Sequence, residues 1–303
     1  MEAAQQDIEA LREVGIASYE ALLEAKRAVV AGARLIDVAE RVEGSMRAIG
    51  FAPAFPLNLS LNHEAAHYTP SLGDQRSFAP GDVVKIDVGV GRSGVLGDCA
   101  ATVDLSGKHG ALVEAADDAL RAAIGAAREG VAVCALGGII ARAIEAKGFK
   151  PIRNLGGHGV ESHAIHAGVF IPNIDNGDTT ELRAGMTIAI EPFATDGAGT
   201  VRESDACEIF EFAYEAPVRS RDARLALSTI KEEYGSEPFA ARWLSGTLGS
   251  RFRVYAALAE LVRSGALRRH PVLVESGKGV VAQAEAMVLI QKEGCEVLTR
   301  ARA

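Results

Sequence analysis

Two spacings of apolar residues alternate along this chain. Some segments repeat apolar residues with the period of an amphipathic helix, and the regions between them are rich in β-branched and turn residues. Helical spacing covers residues 3–30, 35–49, 110–128 and 134–147, and strand signals dominate residues 51–105 and 151–212. Helices that repeatedly accompany runs of antiparallel strands predict an α+β fold.

The pattern changes near Pro217. The pattern of residues 217–270 predicts two or three short helices followed by a strand. After this segment, the run "GVVAQAEAMVLIQ" again has the apolar pattern of a β-strand. The run "RLALSTIKEEYGSEPFAARWL" with "YAALAELVRSGALRRH" resembles a winged-helix module. We therefore divide the chain into a first part (residues 1–216), a helical insert (residues 217–270) and the last strands (residues 271–303).

Two aspartates interrupt a predicted hairpin of buried strands. The runs on either side of "GRSG" are apolar apart from Asp87 and Asp98. A turn centred between Arg92 and Ser93 predicts that the two aspartates lie directly opposite each other, with Cβ atoms roughly 5 Å apart. Like charges at that separation destabilise a sheet unless a cation, a shared proton or an arginine neutralises them.

Further polar residues occur where the pattern predicts a core. Three histidines follow a Gly-Gly pair in "NLGGHGVESHAIHAG", and acids occupy the apolar runs "GMTIAIEPFAT" and "VVAQAEAMVLI". Four acids in β context with one glycine-flanked histidine offer five oxygen and nitrogen ligands without cysteine, which suits two neighbouring divalent ions. The candidate ligands are Asp87, Asp98, His158, Glu191 and Glu285.

These motifs together resemble the methionine aminopeptidases. The similarity includes "FPLNLSLNHEAAHYTP" and spans nearly the whole chain, and the helical insert and short N-terminus are typical of archaeal type 2 members. The resemblance implies the pita-bread fold with a winged-helix-like insert. It also implies that Asp87 chelates one ion, that His158 and Glu191 hold the other, and that Asp98 and Glu285 bridge both. Around Glu285 the chain departs from the family, because both neighbours are alanine.

The resemblance also implies an activity. It implies removal of the N-terminal methionine from nascent proteins and peptides by a hydroxide that two metal ions activate, with Glu191 as both ligand and base. His67 and His166 correspond to catalytic or substrate-contacting histidines, and Phe55 corresponds to a wall of the methionine pocket. We expect cobalt, manganese, iron or zinc, because carboxylates with one imidazole accept all four. His63, His109, His163 and His270 are interpreted as structural or surface histidines.

The composition limits the partners and the cellular location that we expect for this protein. The chain has 303 residues, 48% of them hydrophobic, and a net charge of −8, which disfavours nucleic acid or membrane as a partner of the whole chain. The segment from Arg219 to His270 is basic, with ten Lys and Arg against five Asp and Glu. The four cysteines lack close zinc spacing, and the N-terminus lacks a signal-peptide pattern. We expect a cytoplasmic monomer with reduced thiols.

Two alternatives stay open at this point. An Xaa-Pro aminopeptidase of the same fold shares the five ligands, although the insert and the lack of a large N-terminal domain weigh against it. A non-catalytic homologue that binds RNA or the ribosome is the other alternative. The basic insert could make such contact, but its apolar residues at helical spacing mostly describe its own core, and its arginines also suit an ordinary solvated face. All five ligand positions are filled, which weighs against loss of activity.

Overall fold

The computed structural model describes residues 2–301 and contains helices and antiparallel sheets in repeated succession. The helices are α1 (Glu2–Ala28), α2 (Leu35–Ala48), α3 (Gly110–Ala126), α4 (Val133–Ala146), α5 (Arg221–Glu233), α6 (Ser245–Leu248) and α7 (Arg251–Ser264), with a 3-10 helix at Ala241–Leu244. The strands of the first half are β1 (Ala52–Pro53), β2 (Asn58–Leu61), β3 (Glu64–Ala66), β4 (Val83–Arg92), β5 (Val95–Asp104), β6 (Lys150–Pro151), β7 (Gly156–Glu161), β8 (Ala164–Pro172) and β9 (Thr187–Ile190). The strands that follow are β10 (Phe193–Thr195), β11 (Val201–Glu203), β12 (Ile209–Phe212), β13 (Phe239–Ala240), β14 (Leu267–His270), β15 (Leu273–Glu275), β16 (Val281–Gln283), β17 (Ala286–Ile290) and β18 (Cys295–Val297).

The N-terminal helices cover the first sheet. Apolar residues of α1 and α2 share one core with β2 and β4, as the helical spacing predicts. Ser18 joins the layers, since its hydroxyl donates to Val14 O at 2.8 Å and accepts from Val90 N at 3.2 Å. Among residues 2–301, no helix combines the length and the apolar character that a membrane crossing requires.

The β4–β5 hairpin has a different register from the predicted one. Arg92 pairs with Val95, so Ser93 and Gly94 form the turn, and Asp87 lies opposite Ala100 rather than Asp98. The prediction of directly opposed aspartates is therefore wrong. Both turn residues have positive φ, 53° and 82°, which is the conformation of a tight hairpin turn and suits glycine at the second position.

The second helical pair covers a five-stranded sheet. The sheet has the order β18-β17-β9-β7-β8, and α3 and α4 bury their apolar faces against it. Gly157 of β7 has no room for a side chain, because a Cβ there would overlap Ala189 O of the neighbouring strand β9. The predicted succession of helices beside antiparallel strands is confirmed in both halves.

The insert has a core of its own. Helices α5, α6 and α7 and the 3-10 helix bury one apolar cluster beside the small sheet β13-β12-β14. Ser220 and Ser250 cap α5 and α7 by accepting from backbone amides. The middle strand β12 precedes the insert in the chain, yet it pairs with β14 from Ile209↔His270 to Phe212↔Leu267. This pairing brings the end of the insert beside the sheets of the first part.

Candidate metal centre and substrate cavity

Two of the predicted ligands come from the hairpin and one from a loop beside it. A register shift of two residues keeps Asp87 and Asp98 on one face of the sheet, and Asp98 lies opposite Gly89. Glu285 lies between β16 and β17, where its backbone N donates to Ala100 O at 3.0 Å. Since Ala100 pairs with Asp87, this bond brings Glu285 to the aspartates.

The other two predicted ligands come from the second half. His158 in β7 pairs with Ala189 of β9, and Glu191 follows the end of β9. His158 Nε2 lies 3.0 Å from Glu191 Oε1 and 3.6 Å from Asp98 Oδ2. The imidazole Nδ1 lies 3.2 Å from Gly159 O, so the Nδ1–H tautomer donates to that carbonyl and turns Nε2 toward the carboxylates.

The cluster fits divalent cations. Asp98, His158 and Glu285 each offer a ligand atom within 4.8 Å of the others. In the described part of the chain, Asp87 Oδ1, Asp98 Oδ1 and Glu285 Oε1 are buried and have no hydrogen-bond partner. Buried carboxylate oxygens without partners are costly, and oxygen with imidazole nitrogen is a donor set that binds borderline divalent ions.

Without a cation, protons must neutralise the negative charge of this cluster. Burial and the neighbouring negative charges raise the pKa of Asp87 and Glu285 well above the usual values, and burial raises the pKa of Asp98 to about 7. Burial alone would lower the pKa of His158, but the charges of Glu191 and Asp98 outweigh it and raise that pKa to about 9. The protein without cations must therefore share protons among groups that a cation would compensate directly.

Gln283 supports the cluster and was not predicted. Its Nε2 lies 3.5 Å from Asp87 Oδ2 and 3.4 Å from Glu285 Oε2. Thr102 fixes its backbone, because Thr102 Oγ1 donates to Gln283 O at 2.7 Å and accepts from Gln283 N at 2.8 Å. The available signal was a glutamine in the same apolar run as Glu285.

A cavity of about 410 Å³ opens beside the cluster. It brings together all three residues of the predicted substrate site, Phe55, His67 and His166, with Asp87, Asp98, His158 and Glu191. Apolar side chains supply much of the remaining wall, including Ile165, Val169, Phe193, Ile209 and Leu273. A concave apolar site with a few convergent polar groups suits a small ligand with an apolar side chain.

The two cavity histidines are neutral at neutral pH. Burial lowers the pKa of His67 to about 4 and that of His166 to about 2. The rings of His166 and His158 are 4.3 Å apart between centroids. His67 has a left-handed backbone with φ of 66°, and its Nδ1 lies 3.2 Å from Pro271 O. When Nδ1 donates to that carbonyl, Nε2 is left as an acceptor.

His270, interpreted from the sequence as a structural histidine, also lines the cavity. Its Nε2 lies 2.9 Å from Glu211 Oε2, and its ring meets that of His67 edge-on at 5.9 Å between centroids. No local motif marks this position, because the pairing of β12 with β14 brings His270 to the cavity. His163 lies on an exposed turn near Glu237 and does not line the cavity, in agreement with its interpretation.

Comparison with known proteins agrees with this geometry. Residues 9–211 match metallopeptidase family M24. A methionine aminopeptidase from Pyrococcus abyssi is 43% identical over 294 residues, which are 97% of this chain and 99% of that protein. One from Pyrococcus horikoshii is 44% identical over the same share of both chains.

Solved structures share the fold. A thermophilic Arx1 matches with a TM-score of 0.83 at 16% identity, covering 98% of this chain and 92% of that one. The methionine aminopeptidase from Thermotoga maritima matches with a TM-score of 0.71 at 24% identity over 97% of each chain. A prolidase from Pyrococcus furiosus matches with a TM-score of 0.64 at 20% identity, covering 98% of this chain and 65% of that chain.

Proposed function

The chain belongs to metallopeptidase family M24, and we propose that it removes the N-terminal methionine from peptides and nascent proteins. It is a hydrolase that depends on divalent metal. The observation that carries the proposal is the buried acid and histidine cluster at the wall of an apolar cavity. Identity above 40% to methionine aminopeptidases over nearly the full chain supports the choice of substrate.

Asp87, Asp98, His158, Glu191 and Glu285 would hold two divalent ions. The buried carboxylate oxygens without hydrogen bonds support this assignment. When bound, such ions lower the pKa of a water molecule and polarise a carbonyl group. The donor set accepts cobalt, manganese, iron and zinc alike.

The protein groups around the cluster would handle the proton and orient the peptide. Glu191 takes the proton of the attacking water and delivers it to the leaving amine, in keeping with a carboxylate beside His158 at the cavity wall. Neutral His67 accepts the scissile N–H at Nε2, and neutral His166 donates to the scissile carbonyl oxygen. Phe55 contacts the methionine side chain, which is apolar and unbranched.

Three peptides test the activity and its alternative. Metal-stripped protein refilled with cobalt or manganese is incubated with Met-Ala-Ser, Leu-Ala-Ser and Met-Pro-Ala, beside an Asp98→Asn variant. We expect methionine release from Met-Ala-Ser by the refilled wild type only. Preferred cleavage of Met-Pro-Ala would favour an Xaa-Pro aminopeptidase. If metal is shown to be bound and no peptide is cleaved, the proposal that the protein is an aminopeptidase is refuted.

The setting of the reaction is a separate proposal. We place the protein in the cytoplasm as a monomer that meets nascent chains, and the basic insert supports a transient contact with the ribosome or its RNA. Co-sedimentation with ribosomes at low and high salt tests that contact. Neutralising the exposed Arg221 and Arg224 should weaken it, and unchanged co-sedimentation would contradict it.

A further inference from the structure

A buried ion pair joins the insert to the first part of the chain. Arg242, in the 3-10 helix, pairs with Glu43 of α2, and each side chain is 2% exposed. Arg242 Nη1 also donates to Thr69 Oγ1 at 2.8 Å and to Pro70 O at 3.1 Å. Trp243 Nε1 adds a bond of 2.8 Å to Glu43 Oε2. A buried arginine is costly unless its donors are satisfied, and these bonds engage both Nη nitrogens of Arg242, while its buried Nε has no partner among the described residues.

This network binds both backbone polar groups of one residue, Leu57, beside the cavity. Glu43 Oε1 accepts from Leu57 N at 3.1 Å, and Thr69 Oγ1 donates to Leu57 O at 2.8 Å. Phe55 and Asn58, on either side of Leu57, both line the cavity. Glu43 of α2 therefore holds this backbone through the Leu57 N–H, and Thr69, which also contacts Arg242, holds it through the Leu57 carbonyl group.

The same network lies two residues from His67. His67 is a cavity residue with φ of 66°, a left-handed conformation that is uncommon for residues other than glycine. Thr69 follows in the chain and contacts both Leu57 and Arg242. Leu59 N also donates to Tyr68 O at 2.7 Å, which ties this segment to β2.

We propose that Arg242 is a positioning residue for the aminopeptidase reaction, through which the insert holds the substrate wall formed by Phe55, Asn58 and His67. This inference rests on the proposed function, because it concerns the same cavity. Arg242 itself does not line the cavity and acts through Thr69 and Glu43. The proposed metal ligands lie on β4, β5, β7 and the loops after β9 and β16, and none of them bonds to Arg242, Glu43 or Thr69, although Asn58 pairs with Asp87 across β2 and β4.

The test compares three variants with a matched control. Arg242→Gln removes the ion pair. Arg242→Lys keeps the positive charge, but the ammonium group lacks the planar fork of donors with which the guanidinium group reaches several acceptors at once. Thr69→Val removes only the hydroxyl group. Arg253→Gln is the control, since Arg253 pairs with Asp222 within the insert and both side chains are more exposed. Thr69→Val also serves if Arg242→Gln fails to fold, because it leaves no buried charge without a partner.

Kinetics separate positioning from loss of folded protein. We expect kcat/KM for Met-Ala-Ser to fall on the order of tenfold in Arg242→Gln and Thr69→Val, with a raised KM and a smaller preference for Met-Ala-Ser over Leu-Ala-Ser. Arg242→Lys should lie between these variants and the wild type, and affinity for manganese should not change. A lower kcat with unchanged KM and unchanged peptide preference would overturn the inference, since that result means only fewer folded molecules.

Hydrogen exchange decides the inference independently of turnover. Amides of the segment 55–70 should exchange faster in folded Arg242→Gln or Thr69→Val than in the wild type, and Arg253→Gln should leave them unchanged. Equal exchange in this segment would overturn the positioning role even if activity fell. A wild type without turnover would instead refute the proposed function, and the exchange comparison would still test whether Arg242 holds the segment 55–70.

Discussion

Metal binding to this protein should release protons, and the protonation of the proposed ligands determines how many. The pKa of about 9 leaves His158 almost fully protonated at pH 7, and the pKa of about 7 leaves Asp98 about half protonated. Ligation requires the neutral imidazole and the ionised carboxylate, so these two residues together release about 1.5 protons. Burial raises the pKa of Asp87 and Glu285 in the same direction, so their protons add to that number.

The affinity for metal should therefore rise steeply with pH. Release of at least about 1.5 protons corresponds to a Kd that falls at least about 30-fold for each unit rise in pH near pH 7. The sign follows from the raised pKa values, because lowering the pH adds protons to His158 and Asp98 and these compete with the cation. At limiting metal, activity should be lost on the acid side first.

Titration calorimetry with manganese measures both quantities. Heats in two buffers of different ionisation enthalpy at pH 7 give the number of protons released, and titrations between pH 6 and pH 8 give the Kd. Asp98→Asn should bind more weakly and release fewer protons. Release of fewer than about half a proton, or a Kd that does not change between pH 6 and pH 8, would refute the assignment of His158 and Asp98 as ligands.

Three substitutions examine other parts of the site. Gly89→Ala should lower the free energy of unfolding by about 1–3 kcal/mol in urea denaturation, because a Cβ there overlaps the ring of Phe55, whereas Gly81→Ala faces open space and should change little. His270→Ala should reduce kcat/KM about fivefold to tenfold without weakening metal binding, and an unchanged kcat/KM would show that its contact with His67 has no role in the reaction. Glu191→Gln should lower kcat by about 10²-fold or more in protein shown by elemental analysis to contain metal, and a kcat near the wild-type value would exclude it as the base.

The predicted site could be read from sequence because its residues stand out against apolar strands. Asp87, Asp98 and Glu285 each interrupt a β run, and burying an acid in such a run requires a compensating partner. The register of the hairpin could not be read in the same way. A turn at Arg92-Ser93 and a turn at Ser93-Gly94 place the same residues on the same faces, and only the backbone φ values distinguish them.

Residues that depend on distant contacts were missed for a different reason. His270 reaches the cavity through the pairing of β12 with β14, and Arg242 reaches Glu43 across 199 positions of sequence. Neither residue interrupts a local pattern or belongs to a short motif. Gln283 is an intermediate case, since it lies near a predicted ligand but resembles an ordinary polar residue of a strand.

The mixed origin of the small sheet β13-β12-β14 limits how this protein can be dissected. Its middle strand comes from the first part of the chain, and its outer strands come from the insert. Deleting residues 217–270 would leave β12 unpaired along both edges and would expose the side chains of Ile209 and Phe210, which are buried in the intact protein. Unpaired strand edges beside exposed apolar side chains favour aggregation. A transplant of the insert into another protein must therefore include β12, and a shortened enzyme would need a substitute for both lost strands.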